Sequence, residues 1–184
     1  LAFAAVPSRL TLIGGTHVPW SPPVHYVSDV YLAALRRVGV QADVALRRWG
    51  WYPRGGGEIE AVVTPTAGLA GLHWLDRAPP EMISGVSAVS RLPRAIAERQ
   101  RARAVERLAA AGFAAEVGVV EDSLALGPGT LLFLTATGRT SVAGASALGR
   151  RGLRAEAVAD AAADELLRYL GSGASVDDHL ADQL

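Results

Sequence analysis

Apolar and polar residues alternate at 9–13 and the run ends in Gly14-Gly15, which predicts a strand opening into a loop. Ser21-Pro22-Pro23 follows, with Ser21 as the expected N-cap and Pro22 as the first helical residue. Val27, Val30, Tyr31, Ala34, Leu35 and Val38 then recur at helical spacing, and Gly39 stops the run. Strands are predicted at 42–48 and 58–64, joined by the glycine-rich link 50–57. The first part therefore reads β-α-β-β.

A short strand is predicted at 69–75, before the break at Pro79-Pro80. Beyond it the pattern predicts a strand at 82–90, a helix at 93–111 closed by Gly112, and a strand at 113–121. After the turn Gly127-Pro128-Gly129 come strands at 130–137 and 140–147 and a helix at 154–170. This second part reads β-α-β-β-β-α, an α+β unit of its own. A last helix follows Gly171-Ser172-Gly173, with Ser175 and Asp178 as the expected capping box.

The 184 residues suffice for one large domain or two small ones, and half are hydrophobic, enough for a proper core. No apolar run is long enough for a bilayer, and 1–6 lacks the flanks of a signal peptide. With no Cys, disulfides, thiolate metal sites and a Cys nucleophile are excluded; a cytoplasmic location is the expectation. Net charge is zero, which argues against a globally basic nucleic-acid binder. All 18 basic residues are Arg, so no Lys here can be a Schiff base or an adenylated nucleophile. The chain starts without Met in an apolar stretch and stops within a predicted helix, as a fragment would.

Four places carry candidate chemistry. The loop 14–23 is either an anion cradle at a helix N-terminus, with His17 as an added donor, or an ordinary strand–helix turn. Gly55-Gly56-Gly57 reads as a hairpin link, with Trp51 and Tyr52 packed beneath it, rather than a phosphate cradle. His179, Asp182 and Gln183 share one face of the last helix, suited to reading a nucleotide or simply solvated, while Leu180 and Leu184 are expected to bury. The Arg-rich helix near 94–107 reads as a solvated face with Glu98 and Glu106 interleaved. His17, His25, His73 and His179 show no metal-ligand spacing.

Taken together, the motifs resemble those of RNA 3′-terminal phosphate cyclases. They are Gly14-Gly15-Thr16-His17-Val18-Pro19-Trp20-Ser21-Pro22-Pro23, Gly50-Trp51-Tyr52-Pro53-Arg54-Gly55-Gly56-Gly57, Gly127-Pro128-Gly129, Ser146-Ala147-Leu148-Gly149 with Gly152, and His179-Leu180-Ala181-Asp182-Gln183. The resemblance implies an α+β chain: a main domain of α/β repeats like the C-terminal domain of a bacterial translation initiation factor, with a smaller α+β insert. It implies main-domain residues 1–76 (the end of the second repeat and the start of the third), an insert at 77–174 and a return at 175–184; the breaks at Pro79-Pro80 and Gly171-Ser172-Gly173 at its edges predict that the insert folds alone. It further implies ATP with a divalent metal, Mg or Mn, and RNA 3′-phosphate ends as substrate. The terminal phosphate would become a 2′,3′-cyclic phosphate through an adenylated enzyme and an RNA-adenylate. His179, Leu180, Ala181, Asp182 and Gln183 would contact ATP, with Pro22 or Pro23 across the adenine from His179. The nucleophilic histidine is expected beyond Leu184, so no catalytic residue is assigned here and the chain alone is expected to be inactive. Val18 stands where the family usually has Asn. The alternative is a non-catalytic relative acting in ribosome assembly or rRNA processing.

Overall fold

The computed structural model describes residues 1–71, 74 and 77–184. Among the described residues seven strands form two sheets. The first takes β1 (Ser8–Gly14), β2 (Gln41–Arg48) and β3 (Gly57–Thr64) in the antiparallel order β1-β3-β2. The second takes β4 (Met82–Ser90), β5 (Glu116–Asp122), β6 (Gly129–Thr137) and β7 (Val142–Leu148) in the order β5-β4-β6-β7. Only β4 and β5 pair in parallel, and the helix α2 (Arg94–Ala110) makes the crossover between them. The fold is α+β, with two sheets and four helices among the described residues.

The first helix, α1 (residues 24–37), starts later than Ser21 and Pro22 suggest. Ser21 and Pro22 each precede a proline, and that position is pushed out of the helical region. Pro23 is therefore the N-cap, at φ −65° and ψ 155°, and helix begins at Val24. A π turn, Val27–Tyr31, interrupts it before it resumes at Leu32–Arg37. Phe113 and Ala115 lie outside β5, which starts at Glu116. Phe113 N–H instead donates to Leu108 O and Gly112 N–H to Ala109 O, closing α2 with Gly112 left-handed at φ +87°. The expected strand at 69–75 falls partly outside the described residues; 69–71 and 74 are not in a strand. His73 also lies outside them.

β6 shows how the second sheet is buried on both faces. Leu132, Leu134 and Ala136 join one core cluster, with Leu108 of α2 and Val158, Ala162 and Leu166 of α3 (Ala155–Ser172). The alternate residues, Leu131 and Phe133, join a second cluster with Tyr26, Val30 and Ala34 of α1, Trp49, Trp51, Val142 and Leu180. That second core unites residues from 1–76, 77–174 and 175–184. A segment 77–174 on its own would uncover Leu131, Phe133 and Val142.

The arginine stripe of α2 is largely a seam. Arg99, Arg103 and Arg107 pair with Glu156, Asp160 and Asp164 of α3 at 2.8, 2.6 and 2.8 Å. The offset is the same at each rung, so α2 and α3 run parallel. Side-by-side parallel dipoles repel, and this ladder of opposite charges opposes that repulsion.

Candidate functional site

The short helix α4 (Asp178–Gln183) is capped by Asp177, not by Ser175 with Asp178. Asp177 Oδ1 accepts from Leu180 N–H at 2.8 Å and from Tyr26 O–H at 2.6 Å, and its Oδ2 accepts from Gly144 N–H at 3.0 Å. One buried carboxylate thus ties α4 to α1 and to the edge strand β7. Burial, then the hydrogen bond and charge of Asp177, push the Tyr26 phenol well above its usual range.

The cap fixes which face of α4 looks outward. Leu180 is fully buried against α1, while His179, Ala181 and Asp182 are exposed and Gln183 is half-buried. Leu184, expected to bury beside Leu180, is 57% exposed. His179 Nε2 sits 2.6 Å from Glu165 Oε1 of α3, and its ring meets Tyr26 edge-on at 5.8 Å. Tyr26 lies three residues beyond Pro23, which is buried at the start of α1; Pro22 is exposed. Sequence reasoning missed Tyr26, Glu165 and Asp177 as the groups that hold this face.

The loop at 14–23 is a packed turn in which His17 is no free donor. His17 is 1% exposed and stacks on Trp49 at 4.3 Å, with Trp51 at 4.9 Å. Its Nδ1 lies 2.7 Å from Thr16 Oγ1 and its Nε2 3.0 Å from His25 Nδ1. Thr16 Oγ1 accepts Gly50 N–H at 2.8 Å and lies 3.5 Å from Gly50 O, so its proton has two acceptors and the Thr16–His17–His25 chain is satisfied in either imidazole tautomer. Val18, in place of the family's Asn, packs on Gly15: a Cβ there would lie 2.5 Å from Val18 Cγ1. In the link 50–57, Trp51 is buried as expected but Tyr52 is 71% exposed. Its peptide bond to Pro53 is cis.

Desolvation, then the neighbouring His25, lower the His17 pKa to about 2. Burial also lowers that of His25, against a smaller raising effect of Asp29. Unfolded, these rings take up protons below about 6.5; folded, His17 stays neutral. Stability is then fully present above pH 6.5 and falls as the pH drops toward the folded value. The slope from His17 alone is about 1.4 kcal/mol per pH unit. Urea midpoints at pH 7 and pH 5 should show this loss, and His17→Gln should reduce it.

The family model described as RNA 3′-terminal phosphate cyclase matches residues 1–184. An RNA 3′-terminal phosphate cyclase of Nostoc punctiforme is 44% identical over 184 residues, covering all of this chain and 53% of its own. That of Methylococcus capsulatus is 46% identical over 187 residues, covering all of this chain and 51% of its own. That of Thermococcus onnurineus is 40% identical over 184 residues, covering all of this chain and 54% of its own. The chain spans about half the length of the curated relatives it matches. A match over every residue, with the motif loops packed together and α4 held outward, places this chain in the RNA 3′-terminal phosphate cyclase family.

Proposed function

We propose that this chain belongs to an enzyme that uses ATP to convert an RNA 3′-terminal phosphate to a 2′,3′-cyclic phosphate, with the outer face of α4 as part of its ATP site. The observation that carries the reading is the buried Asp177–Leu180 anchor, which leaves His179, Ala181, Asp182 and Gln183 outward beside the start of α1. Glu165 and Tyr26 set the His179 ring for a base to lie on it, with Pro22 or Pro23 on the base's other side. Asp182 has no ion pair among the described residues and would take the ribose or a metal-bound phosphate.

The chemistry is one of activation. A terminal phosphate has no good leaving group until AMP is attached to it, and the vicinal 2′-OH then stands in place to displace that AMP and close the ring. AMP would first be carried on a histidine. None of His17, His25, His73 or His179 lies in a segment resembling the family's nucleophile motif, so that histidine lies outside these residues and the chain alone does not cyclise. Among the described residues no group of three or more His, Asp or Glu could hold a metal, so the donor set here does not fit a resident ion. Mg or Mn would come with the nucleotide phosphates. The division into main-domain residues 1–76 and 175–184 and an insert at 77–174 is part of the same proposal. Among the described residues no helix is long and apolar enough to cross a membrane.

In the full-length protein, Asp182→Ala should raise the KM for ATP about 10- to 100-fold, the loss of one charge-assisted contact. Asp178→Ala removes only an exposed first-turn carboxylate, worth about 0.3–1 kcal/mol to the helix, and should leave KM unchanged. Steady-state kinetics on the two variants decides whether α4 is the nucleotide face. Equal kinetics in both would remove it from the site.

A further inference from the structure

The other four motif loops close around one cavity of about 620 Å³, lined by Pro19, Trp51, Pro128 and Gly149 among others. That volume is within the range of small-molecule sites. It shares no residue with the His179–Gln183 face.

Two kinds of observation mark the cavity as a site. The first is polar groups left over. Gln100 of α2 is fully buried and Trp51 is 4% exposed; both line the cavity. Gln100 Nε2 and Trp51 Nε1 have no hydrogen-bond partner among the described residues. Turning the Gln100 amide over does not remove the deficit. Ser87 Oγ and Thr130 Oγ1, 2.9 and 3.0 Å from its other end, also bond Ala97 O and Ala88 O with their single protons, so the reversed amide would donate to both hydroxyls and leave its oxygen as the unpaired atom. An unpaired buried polar atom is costly, and natural cores rarely keep one without use for it.

The second is converging positive ends. Because α2 and α3 run parallel, their N-termini lie at the same end, and Ile96 and Ala155 of their first turns both line the cavity. Neither N-terminus has a side-chain cap, since Pro93 and Arg154 stand at the cap positions. Arg150 and Arg151, exposed on the loop before α3, line the same space and have no acidic partner among the described residues. Helix N-termini and guanidinium groups together call for an anion. The walls are mostly apolar, and the left-over amide and indole call for a flat group with a hydrogen-bonding edge.

We propose that this cavity is a second nucleotide-binding site, which takes a base against Gln100 and Trp51 and its phosphate at Arg150, Arg151 and the N-terminus of α3. Base and phosphate are common to an RNA strand and a free nucleotide. The assignment of RNA as the source rests on the cyclase reading.

The test titrates the chain with a fluorescent single-stranded RNA octamer ending in a 3′-phosphate and, separately, with a nucleoside 3′-monophosphate, followed by tryptophan fluorescence. The double variant R150A/R151A, altered at exposed positions only, should bind at least tenfold more weakly. R101A/R139A, which removes equal charge from other exposed positions, should bind as the unaltered chain does. Binding of the octamer alone assigns the site to an RNA strand; equal binding of the monophosphate assigns it to a free nucleotide. No binding of either, R150A/R151A binding unchanged, or an equal loss in R101A/R139A would overturn the site. The cyclase reading is tested separately by adenylation of histidine, so either can fail while the other stands.

Discussion

Replacing Asp177 with alanine is expected to cost about 3–5 kcal/mol of folding stability, more than any exposed substitution in the chain. Three donors converge on this carboxylate: the Tyr26 hydroxyl, Leu180 N–H and Gly144 N–H. Alanine removes the cap of α4, worth about 0.5–2 kcal/mol. It also strands the Tyr26 hydroxyl and the Gly144 N–H in the core, at about 1–3 kcal/mol for each buried group left unpaired. Asparagine keeps a capping oxygen but sets an amide N–H₂ against one of the other donors, so D177N should fall between alanine and wild type. Denaturant unfolding of D177A, D177N and D178A is the check. A D178A as damaging as D177A would restore the cap to Ser175 and Asp178.

Glycine at 129 is the second position of large expected effect. Its backbone lies under the Trp51 indole: a Cβ there would stand 2.0 Å from Trp51 Cδ2 and 2.4 Å from Cε3. Trp51 cannot move aside easily, because Trp49 stacks on it at 5.4 Å and His17 packs against it. This contact joins the hairpin link of the first sheet to the first residue of β6 in the second. Gly129→Ala should therefore cost about 3 kcal/mol, at the upper end of ordinary overpacking. For a chain of this size that lowers Tm by about 6–12 °C. A thermal melt within 2 °C of wild type would show that Trp51 has room to move.

These two residues mark where sequence legibility stops. Elements set by local rules were readable: the apolar run of β6, the periodic face of α3, and the Gly112 stop of α2. The five motifs were readable as well, and with them the outward face of α4. Misplaced boundaries came from competing local signals. Pro22 looks like a first helical residue until Pro23 forbids it, and Ser175 and Asp177 both satisfy the rule for a cap. The choice of Asp177 is made by Tyr26, 151 residues away, which no local pattern encodes. The same holds for the parallel seating of α2 on α3 and for the cavity at Gln100. Trp51 and Gly129 each belong to a motif, but their contact appears only when two sheets meet. His17 was left between two readings for a related reason: a histidine after Gly-Gly looks available, and only three-dimensional packing against two tryptophans makes it core.

The cyclase reading is tested most directly by the chemistry of the enzyme-bound nucleotide. The full-length protein carrying these residues is incubated with α-labelled ATP and denatured, and the retained label is followed in mild acid and in alkali. AMP on a histidine is a phosphoramidate whose imidazole leaves readily once protonated, so the label should be lost in acid and retained in base. These 184 residues alone should take up none. Label that resists acid, that maps to a lysine, or that appears on the 184-residue chain by itself would contradict it.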